Sequence, residues 1–267
     1  MLHLSTFRAQ PALHTWLAGW NAVARWTRYE VEHLAPLLQG KPCLIVGYHG
    51  RPLAWDLCML TTELHRRLGY LPHGIIHGGL AQGPMADFVD GLGFVTADGP
   101  ELAAAVARGE HILVAPGGTH EGCRRGETYT VAWGKRTGYL KLALRYGLPI
   151  VPVAASGVDS LYLSLNNGER WGKRLGVPAR LPLWLGLGPL GFFPFSPPFP
   201  AHVRQRVGDA IDVRALVEEK ARVAGKPMTW QDVVADPAGR PILAAAHQHI
   251  QAEVQGILNQ MTGRRHV

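Results

Sequence analysis

Five short apolar runs constrain this chain more than any other feature. They are "PCLIVGYH" (42–49), "HGIIHG" (73–78), "LGFVTA" (92–97), "HILVAPGG" (111–118) and "PIVPVAAS" (149–156). Each is short and rich in Val, Ile and Leu, which suits a buried strand. Helical periods fill the gaps: Trp55–Leu68 with Asp56 in its first turn, and about Gln82 to Val89 ending at Gly91. A third helix is capped by Asp98, with Pro100 in its first turn and Gly109 closing it, and a fourth covers 135–146. This alternation predicts an α/β fold with a largely parallel or mixed central sheet flanked by helices. In such folds sites lie beyond the carboxyl ends of the strands, where His49 and the Gly117–Glu121 turn both fall.

The flanks carry weaker signals. Residues 12–34 show a helical period with Trp16, Trp20 and Trp26, so an N-terminal helical segment is expected over about 1–38. It either packs on the domain or lies at an interface with its indoles among lipid head groups. The apolar stretch 182–200 holds six prolines and reads as a loop. A return strand is expected within 201–212, and a C-terminal helical segment over about 229–262, interrupted near Pro237–Pro241. Without repeats or a low-complexity linker, residues 1–267 are expected to form a single domain.

Charge narrows the partners. A net charge of +7 and a pI of about 9.6 favour anionic ones: nucleic acid, acidic head groups or a phosphorylated substrate. No Lys/Arg block exceeds two residues and no nucleic-acid signature is present, so nucleic acid is not expected. Cys43, Cys58 and Cys123 lack zinc-like spacing and read as reduced thiols of a cytoplasmic protein. Neither a signal-peptide core nor a run of ~18 apolar residues is seen, so the chain is expected to be soluble or to lie on a membrane surface.

Several motifs fail on context. "GLGPLG" (186–191) fits the dinucleotide fingerprint, but Phe-Phe-Pro-Phe-Ser-Pro-Pro follows where a helix must open. His73 and His77 have helical zinc spacing on a segment that reads as strand and turn, and no metal is expected. No nucleophile elbow or P-loop occurs. Cys123 follows a glycine turn and reads as an inert thiol rather than a nucleophile.

His49 and Asp56 remain. Three further segments accompany them in order: "APGGTHEGCRRG" (115–126), "WGKRTGYLKLALRYG" (133–147) and "LPIVPVAASGVD" (148–159). With these four pieces, residues 40–160 resemble the lysophospholipid/glycerolipid acyltransferase superfamily, and within it the branch of diacylglycerol acyltransferases and their bacterial relatives. The first motif of that superfamily pairs a histidine with an aspartate. A subset has a longer gap after a His-Gly start, as His49-Gly50 and Asp56 do here. The usual Pro-Glu-Gly-Thr-Arg motif stands here as Pro116-Gly117-Gly118-Thr119-His120, followed by Glu121. Gly117 replaces the acid, and His120 replaces the arginine that meets a glycerol phosphate. An imidazole is a poorer phosphate clamp than a guanidinium, so an acceptor without phosphate is favoured, unless Arg124 and Arg125 compensate.

The resemblance implies acyl transfer from an acyl-CoA or acyl-carrier-protein thioester to a lipid hydroxyl, without a cofactor. His49 would act as general base and Asp56 would orient it. Gly117, Gly118, Thr119, His120 and Glu121 would supply oxyanion or acceptor contacts. Arg124, Arg125, Lys135, Arg136 and Lys141 would attract the donor's phosphates. A cytoplasmic protein, peripheral on the inner face of the cytoplasmic membrane, is the expected setting. Two alternatives stay open: a lipid or thioester hydrolase using the same dyad, and a non-catalytic peripheral lipid-binding protein.

Overall fold

A computed structural model describes residues 4–52, 54–75, 91–126, 128–176 and 183–263. In chain order α1 (Leu4–Trp26) leads to β1 (Glu30–Glu32), β2 (Leu44–Gly47), α2 (Trp55–Leu68), β3 (His73–Gly74) and α3 (Pro100–Ala107). Next come β4 (Ile112–Val114), α4 (Gly118–Gly122), α5 (Gly138–Tyr146), β5 (Ile150–Ser156), β6 (Leu163–Ser164) and α6 (Gly168–Arg174). Then follow β7 (Gly186–Gly188), β8 (Gly191–Phe192), β9 (Arg204–Val207), α7 (Val213–Val223), α8 (Trp230–Ala235) and α9 (Arg240–Thr262).

The main sheet has the order β1-β9-β5-β2-β4-β3. Its pairs are parallel except β5 with β9, so the sheet is mixed. Side chains of its central strands alternate between two cores. On β2 and β5, Leu44, Val46, Ile150 and Ala154 face one side, where α5, α7 and α9 contribute Leu140, Leu144, Leu216, Val217, Ile250 and Val254. Ile45, Val151 and Val153 face the other, covered by Leu57, Leu60 and Leu64 of α2. The spacing of those three leucines is one stripe of a helix, which is why α2 lies along the sheet.

Several expectations need correction. The N-terminal helix stops at Trp26 rather than running to 38; Arg28 and His33 adopt positive φ and bracket β1. Of "LGFVTA", only Val95 bridges, to Ile75, and no strand forms there. Gly99, not Asp98, caps α3, without a side-chain bond. The 182–200 region is not simply a loop: β7 and β8 join β6 in a three-stranded antiparallel sheet. The glycines of "GLGPLG" therefore lie on strands and not at a helix start. Helices α4, α6 and α7 were not expected, α5 begins at Gly138, and the return strand is confined to β9. The C-terminal helices break at a 3₁₀ turn, Pro237–Gly239, as the prolines implied. The expected helix at Gln82–Val89 and His77 lie outside the described residues.

Candidate active site

Three neighbouring strands deliver the site. Val46 of β2 is in register with Val114 of β4 and with Pro152 of β5. Carrying that register three residues on brings His49 level with Gly117. The chain beyond β5 reaches Val158 and Asp159 on the same edge, so motifs far apart in sequence meet at one carboxyl edge.

His49 follows the buried run Leu44–Tyr48, and α2 starts at Trp55 with Asp56, 0% exposed, in its first turn. Between them the Ala54 N–H donates to the Gly50 carbonyl at 2.8 Å, and Ala54 takes a left-handed conformation before α2. Glycines make the room. A Cβ on Gly50 would come within 2.8 Å of Asp56 Oδ1 and 2.4 Å of Val158; one on Gly122 would stand 2.2 Å from His49 Nδ1.

The expected hydrogen bond from His49 to Asp56 is not made. His49 Nδ1 and both carboxylate oxygens of Asp56 are sealed from solvent without a hydrogen-bond partner among the described residues. Burial governs their protonation: it pushes the His49 imidazole down to about 4 and the Asp56 carboxyl up to about 8. The Leu57 N–H group near Asp56 tempers that rise without reaching hydrogen-bond geometry. Burial thus favours the neutral form of both groups.

Glu121 is 0% exposed and binds protein rather than facing solvent. Its carboxylate accepts the His49 backbone N–H at 2.8 Å, the Ala132 N–H at 2.6 Å and the Trp133 indole N–H at 3.3 Å. Burial raises its carboxyl to about 7. Of the other residues in that motif, Gly118 already donates its N–H to the Ala115 carbonyl at 3.1 Å, which engages one expected oxyanion donor. Thr119 is half-buried, and exposed His120 lies 2.9 Å from the Glu169 carboxylate. Arg136 donates to the carbonyls of Pro116 and Gly117, holding the turn. Arg125, Lys135 and Lys141 are exposed.

Arg124 is not a surface cation but a core residue, 5% exposed. It donates to the Tyr48 hydroxyl at 3.0 Å and to the Thr130 carbonyl. Tyr48 in turn donates to Asp159 Oδ2 at 2.6 Å, while the Arg51 N–H reaches Asp159 Oδ1 at 3.3 Å and its guanidinium lies 3.6 Å from the same oxygen. Burial and the Asp159 charge push the Tyr48 hydroxyl up, so it stays a donor. Sequence reasoning gave no role to Tyr48, Arg51 or Asp159. The available signal was Asp159 closing "LPIVPVAASGVD", and a charged residue directly after a buried strand must find a partner.

An aromatic wall adjoins the site. Trp16 and Trp20 of α1 pack on each other, and Trp20 packs on Trp55, whose ring meets Tyr162. The Trp16 indole N–H also donates to Thr61 of α2 at 2.9 Å. These two indoles belong to the fold, while Trp26 is 50% exposed. An apolar groove of about 360 Å³ runs between Thr15, Trp16, Gly19, Trp20, Val23 and Trp55, the residue next to Asp56.

No family model matches the chain. Sequence relatives include a human protein named "DGAT1/2-independent enzyme synthesizing storage lipids", 26% identical over 226 residues that cover 77% of this chain and 66% of that protein. Another is the Arabidopsis thaliana chloroplastic phytyl ester synthase 2, 30% identical over 139 residues, 49% of this chain and 20% of that protein. The crystal structure of the 1-acyl-sn-glycerophosphate acyltransferase PlsC from Thermotoga maritima superposes with a TM-score of 0.54 at 16% identity, covering all of this chain and 86% of that one. The fold is that of this acyltransferase, and the sequence relatives, named for storage-lipid and phytyl-ester synthesis, make the chain similar to the glycerolipid acyltransferase superfamily. The chain spans just under two thirds of the length of the human relative. On this sheet, His49 and the Gly117–Glu121 turn stand at adjacent strand ends.

Proposed function

We propose that the chain transfers a fatty acyl group from an acyl-CoA or acyl-carrier-protein thioester to a lipid hydroxyl, with His49 as general base and Asp56 as the carboxylate that orients it. One observation carries the reading: a buried imidazole nitrogen and a buried carboxyl group, each without a hydrogen-bond partner among the described residues, lie at one strand end of an acyltransferase fold. Leaving such groups unpaired costs about 1–3 kcal/mol each, so the structure gains by bringing them together. With Asp56 ionised and accepting from Nδ1–H, Nε2 is free to take a proton. The hydroxyl then gives its proton to Nε2 as its oxygen attacks the thioester carbonyl. Collapse of the tetrahedral intermediate expels the thiolate, which recovers that proton. The thioester is already activated, so no acyl-enzyme is needed.

Two features support the substrate class. The groove beside Trp55 suits an alkyl chain, since its lining is almost wholly apolar. Arg124 is buried and engaged with Tyr48 and Thr130, so it does not replace the arginine absent at His120. That favours an acceptor alcohol without a phosphate, and leaves Arg125, Lys135 and Lys141 as the exposed cations for the donor.

The test is thiol release from a long-chain acyl-CoA with a mixed lipid extract as acceptor, comparing the native chain with folded His49→Ala. Acceptor-dependent release, a new acylated lipid by mass analysis, and a loss on the order of 10²–10⁴ in the variant are expected. Full activity in His49→Ala would remove the mechanism, and release without an acceptor would indicate a hydrolase.

A further inference from the structure

Gly117 and Glu121 compete for one volume. A Cβ on Gly117 would lie 2.4 Å from Glu121 Oε2, 2.5 Å from its Cβ and 2.6 Å from its Cδ. The Gly117 backbone is ordinary, with φ −65° and ψ −35°, so conformation does not demand glycine there. Space does. Glu121 stands one turn further along α4, and side chains on a helix lean back over the preceding turn. Its carboxylate therefore occupies the place where a side chain at 117 would begin.

From that place it joins two segments. Accepting the His49 N–H and the Ala132 and Trp133 donors, it ties the end of β2 to the loop before α5. The next residue, Gly122, lies directly against the His49 ring. Helix α4 thus holds His49 by its backbone and by its imidazole. We propose that Glu121 is a positioning residue that fixes His49 through its backbone amide, and that the same carboxylate can be supplied from position 117 or from position 121. The inference rests on the acyl-transfer reading of His49, and it accounts for the acid missing from the Pro116-Gly117-Gly118 turn. Glu121 is fully buried and bonded to protein, so it acts through His49 rather than on the acceptor.

The geometry specifies the exchange. Glu121 Oε2 is as far from the Gly117 Cβ position as an aspartate oxygen is from its own Cβ, one C–C and one C–O bond away. Four full-chain variants test it: Glu121→Ala, Glu121→Gln, Gly117→Asp, and Gly117→Asp with Glu121→Ala. The His49 amide resonance reads the hydrogen bond directly, and kcat and KM for acyl transfer read its consequence. Glu121→Ala is expected to lose the downfield amide shift and about 10²-fold in kcat, with KM within about twofold. Gly117→Asp alone forces two side chains into one space and loses activity as well. The double variant is expected to regain the amide shift and at least about tenfold in kcat over either single change. Glu121→Gln keeps the volume and reads the bond even if the alanine variant does not fold; it is expected to weaken the shift, because its NH₂ group faces a donor.

A double variant no better than the worse single one, or a Glu121→Ala defect confined to the acceptor KM, overturns the proposal. If the native chain transfers no acyl group while the His49 amide still follows the carboxylate, acyl transfer falls and the positioning role stands.

Discussion

Asp56 must be charged to do the task proposed for it, and its surroundings oppose that charge. An ionised carboxylate can only accept, so it takes Nδ1–H and leaves Nε2 open as the base; a protonated Asp56 can instead donate to Nδ1, which puts the proton on Nε2. Burial raises this carboxyl from 3.8 to about 8, so the folded state holds a proton that the unfolded chain has lost. Its stabilising contribution is complete below about pH 4 and disappears as pH rises through 8. Glu121, raised from 4.5 to about 7, acts in the same sense. His49, lowered from 6.5 to about 4, acts in the opposite one, costing stability as pH falls from 6.5 to 4. Of these three groups only the two acids titrate above pH 6.5, so the melting temperature is expected to fall between pH 6.5 and 8 while turnover rises. Asp56→Asn is expected to flatten the melting slope and to lower turnover on the order of 10²–10⁴. Parallel melting curves for variant and native chain across that range would contradict this assignment of the buried proton.

Among the elements, α1 and α2 decide what can lie beside the dyad. The groove between them is built from Trp16, Trp20, Val23 and Trp55, with Gly19 on its wall. A Cβ on Gly19 would meet nothing within 4 Å, so Gly19→Leu adds volume without distorting α1. It is expected to raise KM several-fold for long-chain thioesters while leaving short-chain ones unchanged, read by thiol release across chain lengths. Equal effects at all lengths would place the alkyl chain elsewhere. Elements such as α2 were legible beforehand because apolar period and terminus agreed: Leu57, Leu60 and Leu64 form a stripe, and Gly69 closes the helix at positive φ. Positions beyond the strand ends were legible too, since they follow from strand order alone. The short pieces were not. β7 and β8 are three and two residues long among prolines, and α4 is a five-residue helix starting at a glycine pair; each is held by neighbours distant in sequence, which a local period does not record. The same holds for the Tyr48–Asp159–Arg51 cluster, in which Asp159 stands 111 residues from Tyr48 and 108 from Arg51 and meets them only through β2 and β5.

At the scale of the whole molecule, apolar surface and positive charge lie on adjoining elements. Leu190 and Phe195 are 81% and 93% exposed beside β7 and β8, and Leu185 and Phe192 are also exposed. The Leu183 N–H donates to the Gly168 carbonyl, joining this region to α6. That helix exposes Arg170, Lys173 and Arg174 together with Trp171, and Leu175 follows at its end. No helix among the described residues is long and apolar enough to cross a membrane. We propose that these elements meet the lipid surface from which the acceptor is drawn, the apolar tips entering it and the cations facing anionic head groups. Full burial of one Leu or Phe side chain contributes about 1.5–3 kcal/mol. Leu190→Asp with Phe195→Asp is therefore expected to weaken partition onto phosphatidylglycerol-containing vesicles by at least about a hundredfold. Replacing Arg170, Lys173 and Arg174 with Gln is expected to remove the dependence on anionic lipid and most of the salt sensitivity. His49→Ala is expected to bind as the native chain does, since its defect is chemical. Native-like sedimentation of the double aspartate variant with vesicles would move the membrane face off β7, β8 and α6. With α1 already packed through Trp16 and Trp20, the exposed Trp26 end of that helix would then be the surface to examine.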